Sequence, residues 1–209
     1  QSIQPLVIAL YANSPFINGK LSKFLSHRSY IWTKTDTDRC GILPIFSDQN
    51  FSFERYVDYL LDVPMYFVIR NNEYVNLTGY TFRDFMKGKI KNLKATFADW
   101  ENHITTIFTE VRLKKIIEVR GADGGPWSRV CALPAFWTGI LYDEEILEEI
   151  WLMVKGWKFN EIKSFYNDVR KNGLKATAPN KESLLYFTKK ILEFSEKGLR
   201  KRKYKKENK

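Results

Sequence analysis

Residues 110–123 (EVRLKKIIEVRGAD) carry the strand pattern that most constrains the fold of this chain. Side chains alternate between the two faces of a strand, so Ile117 and Val119 are predicted to point toward a core. Glu118 and Arg120 then lie side by side on the opposite face. A carboxylate and a guanidinium held in this way can bind a divalent cation and a phosphate together. The alternative is an exposed strand with an ordinary surface ion pair, and the residues alone favour this alternative.

The hydrophobic spacing along the chain predicts an α+β fold. It indicates helices at 53–61, 98–108, 132–141, from 144 onward, 160–172 and 181–199, and strands at 65–69 and 74–77 joined by a hairpin turn. Thr81 and Asn180 are predicted helix N-caps. Because strands and helices occur in clusters and do not alternate strictly, a parallel α/β sheet is disfavoured. We expect two parts, residues 1–143 and a helical region 144–209 that ends in a basic tail.

Composition indicates a globular protein, with 44% apolar, 15% aromatic and 28% charged residues among 209. No apolar stretch is long enough to span a bilayer, and no signal-peptide pattern opens the chain. Cys40 and Cys131 form neither a disulfide framework nor a zinc motif, which favours a reducing, cytoplasmic setting. Because Gln1 leads into an apolar run without an initiating Met, we expect a processed product or a fragment.

The positive charge is concentrated at one end of the chain. From Lys197 onward there are eight Lys or Arg residues and one Glu, so this tail contributes +7 of the net +10. Such a run can dock on nucleic acid or anionic lipid, although a solvated helix end is the commoner case. Nucleic acid is therefore not expected as a partner of the body of the protein.

Common catalytic motifs are absent from the sequence, since there is no phosphate-binding glycine loop and no nucleophile elbow. His103, one of two histidines, is interpreted as structural. Arg28 lies among aromatic and aliphatic neighbours and should meet a carboxylate, either structural or from a substrate. Tyr66 could line a pocket or pack in the core. Cys131 is expected to be a buried, inert thiol.

Six ordered segments resemble a known family. They are 12–16 (ANSPF), 26–36 (SHRSYIWTKTD), 56–66 (YVDYLLDVPMY), 110–114 (EVRLK), 118–123 (EVRGAD) and 132–137 (ALPAFW). Together they resemble glutamate–cysteine ligase of the plant and proteobacterial type, over nearly the whole chain. The resemblance covers only the C-terminal part of that enzyme, and most of its acidic magnesium ligands would lie outside this chain.

The resemblance implies an ATP-dependent reaction that uses Mg²⁺. ATP phosphorylates the γ-carboxylate of glutamate, and the amine of cysteine attacks the acyl phosphate to give γ-glutamylcysteine, the first step toward glutathione. The resemblance also implies part of a curved antiparallel sheet related to that of glutamine synthetase, with helices packed outside it.

The resemblance assigns roles to individual residues as well. Glu118 is implied as a magnesium ligand and Arg120 as the arginine that faces the phosphate and the γ-glutamyl group. Arg28 is implied to bind a substrate carboxylate, of glutamate or of cysteine, while Tyr66 and Trp32 line the amino-acid pocket. Cys131 matches a cysteine of a redox-regulatory bridge, whose partner would lie upstream of Gln1. Asn76 stands where plant enzymes carry one cysteine of a hairpin disulfide, so that bridge is not expected.

Two alternatives remain open at this point. One is a non-catalytic binding protein on a truncated ligase scaffold that uses its basic tail. The other is a different ATP-dependent carboxylate–amine ligase, which would keep the metal and phosphate residues and change the amine pocket.

Overall fold

The computed structural model describes residues 1–48 and 50–202. In chain order its elements are α1 (Gln4–Tyr11), β1 (Phe16–Ile17), β2 (Lys20–Leu21), α2 (His27–Trp32), β3 (Cys40–Gly41), α3 (Phe53–Asp62), β4 (Phe67–Arg70), β5 (Glu73–Asn76), α4 (Phe82–Met86), α5 (Phe97–Thr105), β6 (Phe108–Thr109), β7 (Val111–Leu113), β8 (Ile117–Val119), α6 (Trp127–Leu141), α7 (Glu144–Val154), α8 (Phe159–Asn172) and α9 (Leu184–Lys201). Short 3-10 helices lie at Pro44–Ser47 and Gly173–Lys175. This mixture confirms the α+β class. Residues 203–209, the end of the predicted basic tail, lie outside the described residues.

The strands in the described residues pair two by two. β1–β2, β4–β5 and β7–β8 are antiparallel, whereas β3 and β6 are parallel. The predicted hairpin at β4–β5 is confirmed, and Asn71 and Asn72 turn it with positive φ angles of 51° and 63°. Asn tolerates this left-handed conformation better than most residues. The glutamine-synthetase-like curved sheet stays a prediction.

The chain divides into two compact units. The first consists of Gln1 and Trp32–Arg120, and the second of Ser2–Ile31 with Gly121–Lys209. The first unit contains β3 to β8 with α3, α4 and α5. The second contains α1, β1, β2 and the helices from α6 to α9.

Two clusters of buried side chains form the core of the first unit. One gathers residues from α3 and the flanking loops: Leu43, Tyr56, Leu60, Val63 and Ile107. The other lies under the β4–β5 hairpin and α4: Met65, Val68, Leu77, Phe82 and Phe85. The hairpin and the two helices are therefore held by apolar contacts that remove their inner faces from water.

Local capping sets where several helices begin. Thr81 accepts a hydrogen bond from the backbone N–H of Asp84, in a reciprocal capping box that confirms the predicted N-cap. The prediction for Asn180 is wrong. α9 begins at Leu184 after Ser183, and the Asn180 side chain instead accepts from the backbone N–H of Glu182, in a turn before the helix.

Three sequence predictions differ from the structure in their details. α6 begins at Trp127, ahead of the predicted start, and accommodates Pro134 within its length. The helix predicted to reach residue 108 ends at Thr105, because Phe108 already belongs to β6. Ile117 is 61% exposed, so its predicted place in a core is wrong. It pairs with Leu113 at the end of the β7–β8 hairpin next to the turn.

Glycine permits a very close approach between two helices of the second unit. A Cβ atom added to Gly139 in α6 would overlap the backbone carbonyl of Ser195 in α9, and one added to Gly198 would overlap the carbonyl of Gly139. The Ser195 hydroxyl also donates to the carbonyl oxygen of Phe136 at 3.0 Å. Within residues 1–48 and 50–202, no helix has the length and apolarity of a membrane span.

We expect Gly139→Ala to lower the free energy of unfolding by about 2 kcal/mol, since overpacking a tight contact typically costs 1–3 kcal/mol. Gly156→Ala is the matched control, because nothing lies within 4 Å of a Cβ added there. Urea denaturation of both variants measures the difference. Equal stability of the two variants would contradict this account of the α6–α9 contact.

Candidate functional site

Four charged side chains occupy one face of the β7–β8 hairpin in the first unit. The antiparallel register places Arg112 opposite Glu118. Arg120 follows on the same face, two residues after Glu118, and its backbone N–H donates to the carbonyl of Glu110 at 3.0 Å. Side chains two residues apart share a face of a strand, so Glu110, Arg112, Glu118 and Arg120 form what we call the charged hairpin face.

Glu118 receives hydrogen bonds from two arginines. Arg112 donates to its Oε2 atom from Nε at 2.9 Å and from Nη2 at 2.5 Å, while Arg120 donates from Nη1 to Oε1 at 2.8 Å. Burial alone would raise the pKa of the Glu118 carboxyl, but the two guanidinium groups outweigh it and hold this pKa below its usual range. Glu118 is therefore an ionised carboxylate at neutral pH.

The two arginines differ in their surroundings. Arg112 is buried, with 7% exposure, and its Nη1 atom also donates to the backbone carbonyls of Thr105 and Ile107 at 2.7 and 2.9 Å. Arg112 thus ties the hairpin to the end of α5. The Arg120 side chain is 21% exposed and can meet a ligand with less desolvation.

Aromatic rings flank Arg120. Its guanidinium carbon lies 5.8 Å from the centre of the Trp32 ring and 5.6 Å from that of Phe108, within the range of cation–π attraction. The two rings are themselves 5.9 Å apart. The structure therefore brings together three predicted site residues, namely Trp32, Glu118 and Arg120.

Tyr66, a fourth predicted residue of this unit, belongs to a second polar cluster. Its hydroxyl donates to Asp36 Oδ2 at 2.9 Å, and Arg39 Nε donates to the same oxygen at 2.6 Å. Cys40, the residue after Arg39, is a partly buried free cysteine. Burial is the main cause that raises the pKa of Cys40.

Arg28 belongs to the second unit, where its surroundings depend on Asp123. The buried Asp123 carboxylate accepts from the hydroxyls of Ser14 and Ser26 at 2.7 and 2.6 Å, and from the backbone N–H of Asn13 at 2.9 Å. Ser14 Oγ in turn accepts from the backbone N–H of Arg28 at 3.2 Å. The Arg28 side chain donates from Nη1 to the carbonyl of Gly121 at 3.3 Å. Asp123 therefore fixes the loop and the helix start that carry Arg28.

Several of these residues had no role predicted from the sequence. Arg112, Asp123 and Asp36 were visible only as members of motifs, and Arg39 was not singled out. The spacing of Asp36 and Arg39, three residues apart, is compatible with an ion pair but gives no sign that Arg39 is 1% exposed.

Two further predictions concern single residues. His103 is buried, and its Nε2 atom lies 2.8 Å from the carbonyl oxygen of Leu60, which confirms the structural interpretation. The prediction of a buried thiol at Cys131 is wrong, because this free cysteine is exposed on α6. Its redox role stays a prediction.

A magnesium site fits these residues only in part. In the portion of the chain that the structure describes, no group of three His, Cys, Asp or Glu side chains could hold a metal ion. Glu118 offers oxygen donors of the kind that Mg²⁺ prefers, and a carboxylate can accept more hydrogen bonds or ligands than its two arginines use. Glu118 can thus supply one ligand, but not a complete coordination sphere.

Comparison with known proteins identifies the family. Residues 1–207 match the family described as glutamate–cysteine ligase family 2. Over 208 residues, 98% of this chain, it is 52% identical to glutamate–cysteine ligase, chloroplastic, of Brassica juncea, and 51% identical to that of Medicago truncatula. It is 52% identical to glutamate–cysteine ligase B, chloroplastic, of Oryza sativa subsp. japonica. The chain spans 40%, 41% and 42% of the length of these three proteins.

The expectation of a cytoplasmic setting is wrong. The relatives are named chloroplastic, which points to a plastid. The cysteine count misled here because it reports on the redox state of a compartment and not on which reducing compartment it is.

A family match over almost the whole chain agrees with the resemblance carried by the motifs at residues 26–36 and 118–123. This chain belongs to glutamate–cysteine ligase family 2.

Proposed function

We propose that this chain is the C-terminal part of a plastid glutamate–cysteine ligase. The whole enzyme joins the γ-carboxylate of glutamate to the amine of cysteine with ATP, through a γ-glutamyl phosphate. The observation that carries this proposal is the pairing of Glu118 with Arg120 beside Trp32, in a chain about half identical to ligases of that name.

Arg120 is the proposed catalytic residue. Phosphoryl transfer depends mainly on positioning and on neutralising the charge that spreads over the phosphoryl oxygens. A guanidinium presents several donors in a planar fork that matches such oxygens. Glu118 and the ring of Trp32 restrict where the Arg120 fork can point, so less side-chain entropy is lost when a ligand binds.

Glu118 is the proposed magnesium ligand, with further ligands supplied by phosphate oxygens and by parts of the enzyme outside this chain. When bound, Mg²⁺ would neutralise phosphate charge during transfer. The arginines keep Glu118 ionised, which is the form that can ligate a cation. Arg28 is proposed to bind a substrate carboxylate, and Tyr66 and Trp32 to line the amino-acid pocket.

Two architectural features belong to the same proposal. The strands of the first unit would form part of a curved, glutamine-synthetase-like sheet in the whole enzyme. Residues 1–143 would belong to its catalytic domain, and residues 144–209 to a helical C-terminal region.

An assay of ADP release tests the proposed function. The full-length protein that contains this chain is expected to release ADP from ATP and Mg²⁺ at a sustained rate only when glutamate and cysteine are both present, because the cysteine amine must consume the acyl phosphate. Omission of each amino acid in turn is the control. Sustained release that is indifferent to cysteine would overturn the proposal.

Glu118→Gln in the same full-length protein tests the metal role. We expect the Mg²⁺ concentration for half-maximal ADP release to rise about tenfold, because a neutral amide is a weaker ligand than a carboxylate, and loss of metal-site groups typically costs 10–100-fold. Glu101→Gln is the control, since Glu101 is an exposed carboxylate 3.5 Å from Lys115. The thermal midpoint of each variant separates a metal effect from unfolding. An unchanged Mg²⁺ titration in a folded Glu118→Gln protein would contradict the assignment.

A further inference from the structure

The Tyr66 hydroxyl is fixed by an ion pair between the buried Arg39 and the partly exposed Asp36, which the proposed mechanism does not use. It donates to Asp36 Oδ2 at 2.9 Å, and Arg39 Nε donates to the same oxygen at 2.6 Å. The other carboxylate oxygen, Oδ1, accepts from the backbone N–H of Asp38 at 3.0 Å. Every described contact of the Asp36 carboxylate thus comes from a donor.

Arg39 supports Tyr66 in two ways. Its guanidinium carbon lies 3.7 Å from the centre of the Tyr66 ring, and the same guanidinium donates to Asp36, the acceptor of the Tyr66 hydroxyl. Its remaining nitrogens donate to Thr106 Oγ1 at 3.0 Å and to the carbonyl of Pro64. Because Arg39 is 1% exposed and each of its nitrogens has a partner, its guanidinium is held in place against the Tyr66 ring.

The direction of the hydrogen bond between Tyr66 and Asp36 follows from their charges. Burial alone would raise the pKa of Asp36, but hydrogen bonds from Arg39, Asp38 and Tyr66 outweigh it and hold this pKa below its usual range. Burial, together with the Asp36 charge, raises the pKa of Tyr66. An ionised carboxylate can only accept hydrogen bonds, so the Tyr66 hydroxyl must use its single proton to donate to Asp36.

A tyrosine whose proton is committed in this way can offer a ligand only its oxygen lone pairs. Such an oxygen attracts a hydrogen-bond donor and repels a carboxylate. Amino-acid substrates carry both kinds of group, an ammonium with donors only and a carboxylate with acceptors only.

We propose that Asp36 is a positioning residue that holds Tyr66 as a hydrogen-bond acceptor, so that Tyr66 recognises the amino group of an amino-acid substrate and not its carboxylate. The proposal rests on the proposed function, in which Tyr66 lines the amino-acid pocket. Arg39 balances the charge of Asp36 and keeps the carboxylate in place.

Competition by substrate analogues in the full-length enzyme tests this recognition. For each amino acid, one analogue lacks the amine (3-mercaptopropionate or glutarate) and one lacks the α-carboxylate (cysteamine or 4-aminobutyrate). We expect Tyr66→Phe to weaken binding of the amine-bearing analogue of one pair at least tenfold, since it removes a hydrogen bond to a charged group. The affinity for the analogue without the amine should change less than twofold. Tyr59→Phe is the control, because the Tyr59 hydroxyl donates only to the Asp38 carbonyl at 3.0 Å among the described contacts.

Asp36→Asn tests whether Asp36 acts through Tyr66. An amide cannot accept all of the hydrogen bonds that reach the carboxylate, so we expect the same loss for the amine-bearing analogue. In the Tyr66→Phe background, Asp36→Asn should lower the affinity for this analogue less than twofold further, because the Tyr66 hydroxyl through which Asp36 acts is gone. Asp58→Asn is the control, since Asp58 makes an exposed ion pair with Arg83.

The possible outcomes separate this proposal from the proposed function. The proposed role of Tyr66 and Asp36 would be overturned if Tyr66→Phe weakened binding of both analogues equally. It would also be overturned if Asp36→Asn had its full effect on affinity in the Tyr66→Phe background. A wild-type enzyme that still needs both amino acids would keep its function in that case. If Asp36→Asn lowers the thermal midpoint too far for assay, the Tyr66→Phe analogue pattern decides alone.

Discussion

The charge of Arg112 is the constraint on which the candidate site of the first unit depends. A guanidinium with 7% exposure is costly unless its donors are satisfied, and here two backbone carbonyls and the Glu118 carboxylate satisfy them. Glu118 is consequently held ionised, with a side chain that is 33% exposed. Arg120 shares this carboxylate and, unlike Arg112, remains accessible.

The same design occurs twice in the first unit. Arg112 fixes Glu118 for Arg120, and Arg39 fixes Asp36 for Tyr66. In each case a buried arginine holds a carboxylate, and the carboxylate restricts a more accessible group proposed to meet a ligand. Preorganisation of this kind lowers the entropy that binding must otherwise overcome.

The sequence predicted the elements better than the contacts of the site. Period-two alternation placed Glu118 and Arg120 on one face, and hydrophobic spacing located the helix that spans Phe159–Asn172. Arg112 was not predicted as the partner of Glu118, because that contact depends on the register of β7 and β8. The burial of Arg39 could not be predicted from the polar residues 33–38 (TKTDTD) that precede it, since burial is decided by what packs over this segment.

We propose a structural role for Arg112 and a catalytic role for Arg120, although both bind Glu118. The most direct test compares Arg112→Lys with Arg120→Lys in the full-length enzyme, by thermal midpoint and kcat. We predict that Arg112→Lys lowers the midpoint by several degrees, because lysine cannot replace the fork that reaches three partners. Arg120→Lys should leave the midpoint nearly unchanged and lower kcat at least tenfold. A normal kcat in folded Arg120→Lys would contradict the account.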